Sequence, residues 1–594
     1  MRNLRILWLA APLLLALPAT AATSGDVLKN AQEALDRGDG IAAEITLREA
    51  GLPRLEIAAA MGHAALLQGD LDAAREWLGA GEFAPEQQLY GFHQLARLEM
   101  AEGNLDAASE AFDRALATGK GTAEIWVDIG RLRYRNAQHY LALDAVRNAL
   151  ALDPDNPRAI EFRGQLARDA RGLRSAVAWF ARGLESNPDD LGLLGEYAAT
   201  LGELGRAKAM LKVTRRMIEL DGSNPRAFYL QAVLAARAGN DELARKLLWR
   251  TNGAFNNIAA GLVLTGVLDL RAGNPGLALQ SFSRFAELHP DNPRAQLLLA
   301  RGQFADGDYL GVIEDFSAAA ARSDASPYLL TLVGRSYEIL GDRAAAAPFL
   351  DRAASTSAVL LPIDVGDTGR LTLFRFGDDP LRIDVGVARL RELVQSGDLG
   401  EASSVLARFL RQYRASADVD VLSGDVALLR DDAAVALVHY HRAARIRRSL
   451  SLVERMIAAY RQIGDERAAE AEARDFLAEH PMDGEAARVV ADFAMTNGEW
   501  HRARLLLAHA RTVGGGERDA RLLAKLSHAA LESGDMAAGE KAGRAALAAQ
   551  RANGSAAYAL ARTLRASGDE RGAQVLFAKA SELGVGSQPL LAER

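Results

Sequence analysis

Residues 123–157 read AEIWVDIGRLRYRNAQHYLALDAVRNALALDPDNP. Trp126, Ile129 and Gly130 stand at helical spacing and the run breaks near Ala137. A second helical run carries Ala142 and Ala149 and stops at Asp153-Pro154-Asp155-Asn156-Pro157. Proline lacks the amide that a helix interior needs, so such a cluster ends one helix and opens the next. Asn187-Pro188-Asp189 and His289-Pro290-Asp291-Asn292-Pro293 repeat the device. The stretch is therefore two helices with a turn between them and a stop after them.

Outward from it, the turn recurs. Gly69-Asp70, Gly103-Asn104, Gly205, Gly239-Asn240, Gly273-Asn274, Gly307-Asp308 and Gly341-Asp342 share one register, with Ala137 and Arg171 at the two places where glycine is missing. From 69 to 341 is 272 residues, eight steps of 34. The next turn, Gly397, lies 56 residues on, which is 34 plus 22. Asp431, Gly464-Asp465, Gly498, Gly534-Asp535 and Gly568-Asp569 continue the series, and Gly38-Asp39 precedes it, for about 16 units. A fixed period of this length is the mark of a repeat architecture.

A small residue recurs five past the turn: Ala74, Ala108, Ala244, Ala278, Ala346, Ala402, Ala503 and Ala573. A large one stands nine past it, among them Leu78, Phe112, Phe180, Phe282, Phe316, Leu350, Leu406, Tyr440 and Phe577. Antiparallel helices need a small residue where their backbones approach and a large one beside it. Glycine followed by Asp or Asn ends one helix and caps the next. The matches are sparsest around Gly38, after Gly205 and around Gly534.

The pattern resembles the tetratricopeptide repeat family. Trp126, Ile129, Gly130, Ala142, Ala149 and Pro154 fit that family's positions in one unit, and Gly164, Ala176, Phe180, Gly183 and Pro188 in the next. The resemblance runs from about residue 24 to 588. It implies an all-α fold, an α-α superhelix of about 16 helix pairs, right-handed, with first helices lining a concave groove and second helices the convex face. Each unit alone buries too little apolar surface to fold. Contacts are therefore expected mainly between neighbouring units.

Composition narrows the function classes. The 594 residues are 49% hydrophobic and 25% charged, which excludes a multi-span membrane protein and a wholly disordered chain. Seventy basic and 77 acidic residues give a net charge of -7, with no sign of a nucleic-acid partner. With 0 cysteines there is no disulfide, thiolate metal site or cysteine nucleophile. Arg2, Arg5, the apolar run Ile6 to Leu17 and the small-x-small Ala19-Thr20-Ala21 read as a signal peptide, residues 1–21, cleaved after Ala21. No direct membrane span is expected after cleavage, and loss of two arginines takes the net charge from -7 to -9. Only eight of the 70 basic residues are lysine, which points to a GC-rich bacterial genome and hence to the periplasm, with secretion as the alternative.

The search for chemistry is largely empty. Gly38-Asp39-Gly40 with Ala43 imitates a dinucleotide motif but follows a helix rather than a strand. Gly119-Lys120-Gly121-Thr122 lacks the upstream glycine of a phosphate loop. The ten histidines are scattered. No catalytic residue, metal site or cofactor is expected.

The expected groove positions are more informative. The ninth position of successive first helices gives His63, Arg97, Arg131, Gln165, Ala199, Val233, Val267, Arg301, Arg335 and Arg391. The fifth gives His93, Val127, Glu161, Gly195, Tyr229, Val263, Leu297, Thr331 and Val387. Tyr229, Val233, Val263, Val267 and Leu297 thus form an apolar strip flanked by Arg301, Arg335 and Arg391. Apolar anchors beside guanidiniums suit a protein or peptide partner with hydrophobic side chains and acidic groups. The alternative is a part in exopolysaccharide synthesis or export, the arginines holding an anionic glycan. None of the five tryptophans beyond Trp8 stands at these positions to offer a sugar platform. A second alternative is an enzyme without a familiar motif. The oligomeric state is not legible.

The 22 extra residues fall in 358–382. Ala358 to Val365 and Leu371 to Phe376 are strand-like around Gly366-Asp367-Thr368-Gly369, a β-hairpin pattern in an otherwise helical chain. The expected organisation is a first repeat array over 22–357, this insertion, and a second array over 383–594. The expected function is a non-catalytic exported scaffold or adaptor in the cell envelope.

Overall fold

A computed structural model describes residues 24–585 except 120, 291, 323–324, 356–389, 391–392, 394–397 and 515–518. The signal peptide, the 358–382 insertion, Gly397 and Arg391 therefore lie outside the described residues. Among the described residues there are 31 α-helices and no strand: fifteen helix pairs and the single helix Leu399–Gln412. The fold is an all-α solenoid of helix pairs. Pairs form even where the sequence pattern was thinnest, at Ser24–Asp36 with Gly40–Glu49 and at Ala520–Glu532 with Met536–Ala549.

The turn chemistry is as the spacing requires. Gly69, Gly103, Gly205, Gly239, Gly273, Gly307, Gly341, Gly464, Gly498, Gly534 and Gly568 all have positive φ. Behind them Asp39, Asp70, Asp308, Asp432, Asp465, Asp535 and Asp569 accept a backbone N–H of the second helix's first turn. Where glycine is missing, the chain still makes the turn. Ala137 takes φ 50° and Asp431 φ 61°, a left-handed conformation that side chains resist. At Arg171 the work passes to Gly172, at φ 98°.

Packing inside a pair follows one rule. A first-helix glycine faces the large residue of the second helix so closely that a Cβ there would meet it at 2.3 Å for Gly62 and Leu78, Gly164 and Phe180, and Gly424 and Tyr440. Where the second helix carries a glycine, Gly543, at the large residue's position, the gap closes differently. Ser527 Oγ donates 2.7 Å to the carbonyl of Gly539, drawing those two backbones together.

The chain divides into two compact units, Met1–Leu132 and Arg133–Arg594. In the first, Ala31, Leu35, Ala43, Leu47, Met61 and Ala64 form one buried cluster across successive helices. The second begins within the helix Ala123–Arg135 and contains the helices from His139–Leu152 onward, and there the expectation of neighbour-only contacts fails. Three successive turns within 133–205 meet three successive linkers within 413–482. Tyr140 N–H donates to Ala415 O at 3.3 Å, and Arg448 N–H to Asp169 O at 2.7 Å. Arg174 N–H donates to Glu479 Oε2 at 3.0 Å, and a Cβ on Gly205 would stand 3.1 Å from Met482 Sδ. Ala137, 4% exposed, belongs to the buried cluster of Leu390, Leu406, Phe409 and Val419.

Candidate functional site

First helices carry the side chains read as groove-facing. In the first unit they form a polar ladder. Arg97 Nη1 donates to His63 Nε2 at 3.1 Å, across one repeat of 34 residues. Guanidinium has no acceptor, so that imidazole nitrogen is the bare one, and His63 Nδ1 donates 2.6 Å to the Tyr90 hydroxyl. Burial raises the Tyr90 pKa and keeps it a neutral phenol. Arg97 also donates to Gln94 Oε1 at 3.0 Å, and His93 Nε2 lies 2.9 Å from Asp128 Oδ2.

In the second unit, Glu196 stands between two arginines, 2.9 Å from Arg168 Nη1 and 2.7 Å from Arg226 Nη2. Burial opposes its charge, but the two guanidiniums outweigh burial and hold the carboxyl below its usual range. Further along, Lys525 Nζ is 2.8 Å from Asp492, and Arg562 Nη1 donates 2.8 Å to His528 Nδ1, again 34 residues apart. First-helix side chains thus link successive repeats along the chain.

The apolar strip is accessible in part. Val233, Val263, Val267 and Leu297 are half-buried. Tyr229 is half-buried too, but its ring stacks on Phe255 at 4.2 Å and 6° between planes, and its hydroxyl donates 3.2 Å to Ala260 O. Arg301 is exposed. Arg335 pairs with Glu338 on its own helix.

Sequence reasoning did not reach Phe255, Tyr90, Asp128 or Glu196. Phe255 sits in the loop after the shortened second helix Asp241–Trp249, and that helix's early end was the available signal. Among the described residues no group of three or more His, Asp or Glu is placed to hold a metal ion, and no helix is long and apolar enough to cross a membrane.

Residues 93–157, 127–190 and 264–327 match the tetratricopeptide repeat family model. The chain contains tetratricopeptide repeats. It is 31% identical over 188 residues to a TPR repeat-containing protein of Synechococcus elongatus, a match covering 30% of this chain and 46% of the relative. It is 34% identical over 127 residues to the cytochrome c-type biogenesis protein CycH of Rhizobium meliloti, covering 20% of this chain and 32% of the relative. The chain thus spans less than half the length of either curated relative. Among solved structures, the APC/C hetero-tetramer Cut9–Hcn1 aligns over 96% of both chains, at 12% identity and a TM-score of 0.38. Tetratricopeptide repeats are interaction modules that bind protein or peptide partners.

Proposed function

We propose that this chain is a non-catalytic scaffold or adaptor that holds an extended segment of a protein partner along its first helices, in the bacterial cell envelope after export. The observation that supports this reading most is the run Val233, Val263, Val267 and Leu297. These are four apolar side chains on three successive first helices, each left half-buried, with exposed Arg301 one turn beyond. Half-buried valines and leucine supply hydrophobic contact without unfolding the pair that carries them. Arg301 supplies a charge for an acidic group on the partner. The periplasmic location rests on the Arg2 to Ala21 pattern. The name of the partial relative CycH, for cytochrome c biogenesis, accords with an assembly role.

The test is a pull-down from the exported fraction of the source cell with the wild-type chain and with Val233→Asp combined with Val267→Asp. Loss of one defined partner, with the melting temperature lowered by no more than a few degrees, supports the reading. Unchanged capture, or a collapse of stability, contradicts it.

A further inference from the structure

The contact between residues 133–205 and 390–482 is unlike the rest of the repeat packing, and its chemistry is that of a surface that can part. Tyr140 Oη donates to Asp420 Oδ2 at 2.9 Å and lies 3.0 Å from Arg442 O, and the Arg442 guanidinium stands over the Tyr140 ring at 5.1 Å. Ala417 N–H donates to His139 Nδ1 at 3.2 Å, and Arg447 Nη2 to the Tyr134 hydroxyl at 3.4 Å. The seam has an apolar part as well: Ala137 joins the buried cluster of Leu390, Leu406, Phe409 and Val419, and the half-buried Tyr134, Tyr140 and Leu143 pack against the buried cluster of Ala417, Ile446 and Leu452.

Asp420 and Arg447, which span the contact through their side chains, each keep a partner on their own side, and Glu479, which also spans it, is half-exposed. Asp420, 1% exposed, also has His439 Nδ1 at 3.2 Å and Arg442 Nε at 3.2 Å. Arg447 has Asp418 at 3.8 Å, and Asp169 accepts the Tyr134 hydroxyl at 3.0 Å. Parting the two sides therefore strands none of these charges in an apolar setting, the event that makes most buried ionic contacts irreversible. The turn at the centre is also held in a conformation it would not choose. Ala137, at φ 50°, stands where most repeats place glycine, and it is buried against Leu390, Leu406, Phe409 and Val419.

We propose that this seam is a reversible latch, closed as seen here and open in a second populated state, that ties the repeats of 133–205 to those of 390–482. In sequence its two sides bracket the repeats that carry Tyr229 through Arg335. The latch stands whether or not the strip binds a partner. Contacts within a chain that lean on hydrogen bonds and ion pairs, as these do at Tyr140, Asp420 and Arg447, can open without unfolding the elements that carry them.

The chain contains 0 cysteines, so a pair of introduced ones can be labelled without background. Arg174→Cys and Asp475→Cys are exposed positions on opposite sides of the seam. Nitroxides attached there report the distance by double electron–electron resonance. The latch predicts two populations, a short-distance closed one and a longer one. Tyr140→Phe combined with Arg447→Ala removes two contacts to charged or polar partners and is expected to raise the open-to-closed ratio about tenfold. Glu479→Lys, acting from the other end of the seam, is expected to raise the same population, and keeps the test decisive if the first variant loses helix content. A single short distance that neither variant moves makes the seam permanent core and overturns the proposal. A single long distance in the wild-type chain overturns it as well.

Discussion

Tyr140 and Asp420 share a hydrogen bond of 2.9 Å although 280 residues separate them. In a solenoid whose units touch only their neighbours, a change at one repeat is felt one repeat away. Here two repeats hundreds of positions apart also touch.

Tyr140→Phe is therefore expected to lower stability by about 1–2 kcal/mol, the worth of a hydrogen bond to a charged group less the partners Asp420 retains. Its footprint is the sharper readout. Amide hydrogen exchange should accelerate within 413–449 as well as within 123–186. Acceleration confined to the second range would show that the seam transmits nothing.

The repeat itself was legible because its cause is local. Each turn glycine, each capping Asp and each small residue opposite Phe180 or Tyr440 answers to contacts within one unit, so 34-residue spacing recovers them. The seam was not legible, because Tyr140 and Asp420 occupy ordinary helical positions and nothing in their spacing pairs them. Its one trace was the break in the glycine series at Ala137 and Arg171, both at turns that meet the distant linkers. The strip valines could be placed on first helices from position alone. Tyr229 looked like a free anchor only because Phe255, its stacking partner, lies in a loop outside the repeat pattern.

Gly164→Ala and Gly424→Ala are expected to destabilise by about 1–3 kcal/mol each, since the new methyl would press on the Phe180 or Tyr440 ring. Gly222→Ala serves as the control, because its nearest neighbour is the Ile218 carbonyl at an ordinary 4.0 Å. Thermal melts of the three variants should separate cleanly. Equal effects would contradict the close approach inside the pairs.

Acid should loosen the second unit at two buried histidines. Burial favours the neutral ring and lowers the pKa of both His139 and His528 to about 4, with Arg447 and Arg562 respectively adding to the effect. An unfolded histidine titrates near 6.5, so between about 6.5 and 4 the unfolded chain binds more protons than the folded one. Their contribution is complete above pH 6.5 and is lost as pH falls through that window. Melting temperatures across pH 7.5 to 4.5 should fall in the wild type and fall less in His139→Asn. A flat wild-type profile would contradict the buried neutral imidazoles.

Tyr229→Ala should lower stability by about 1 kcal/mol through the loss of its stack on Phe255, whereas Val267→Asp should change stability little. Calorimetry on the two variants checks the division between a residue that supports the first-helix face and one that is offered to a partner.

The scaffold reading stands or falls on which face a partner touches. A photo-crosslinking residue placed at Val267, on the first helix Ala259–Arg271, and separately at Leu277, on the second helix Pro275–Leu288 and 51% exposed, decides it in living cells. The account predicts a discrete protein adduct from position 267 that disappears with Val233→Asp, and none from position 277. Adducts from 277 alone, or from neither position, would contradict it.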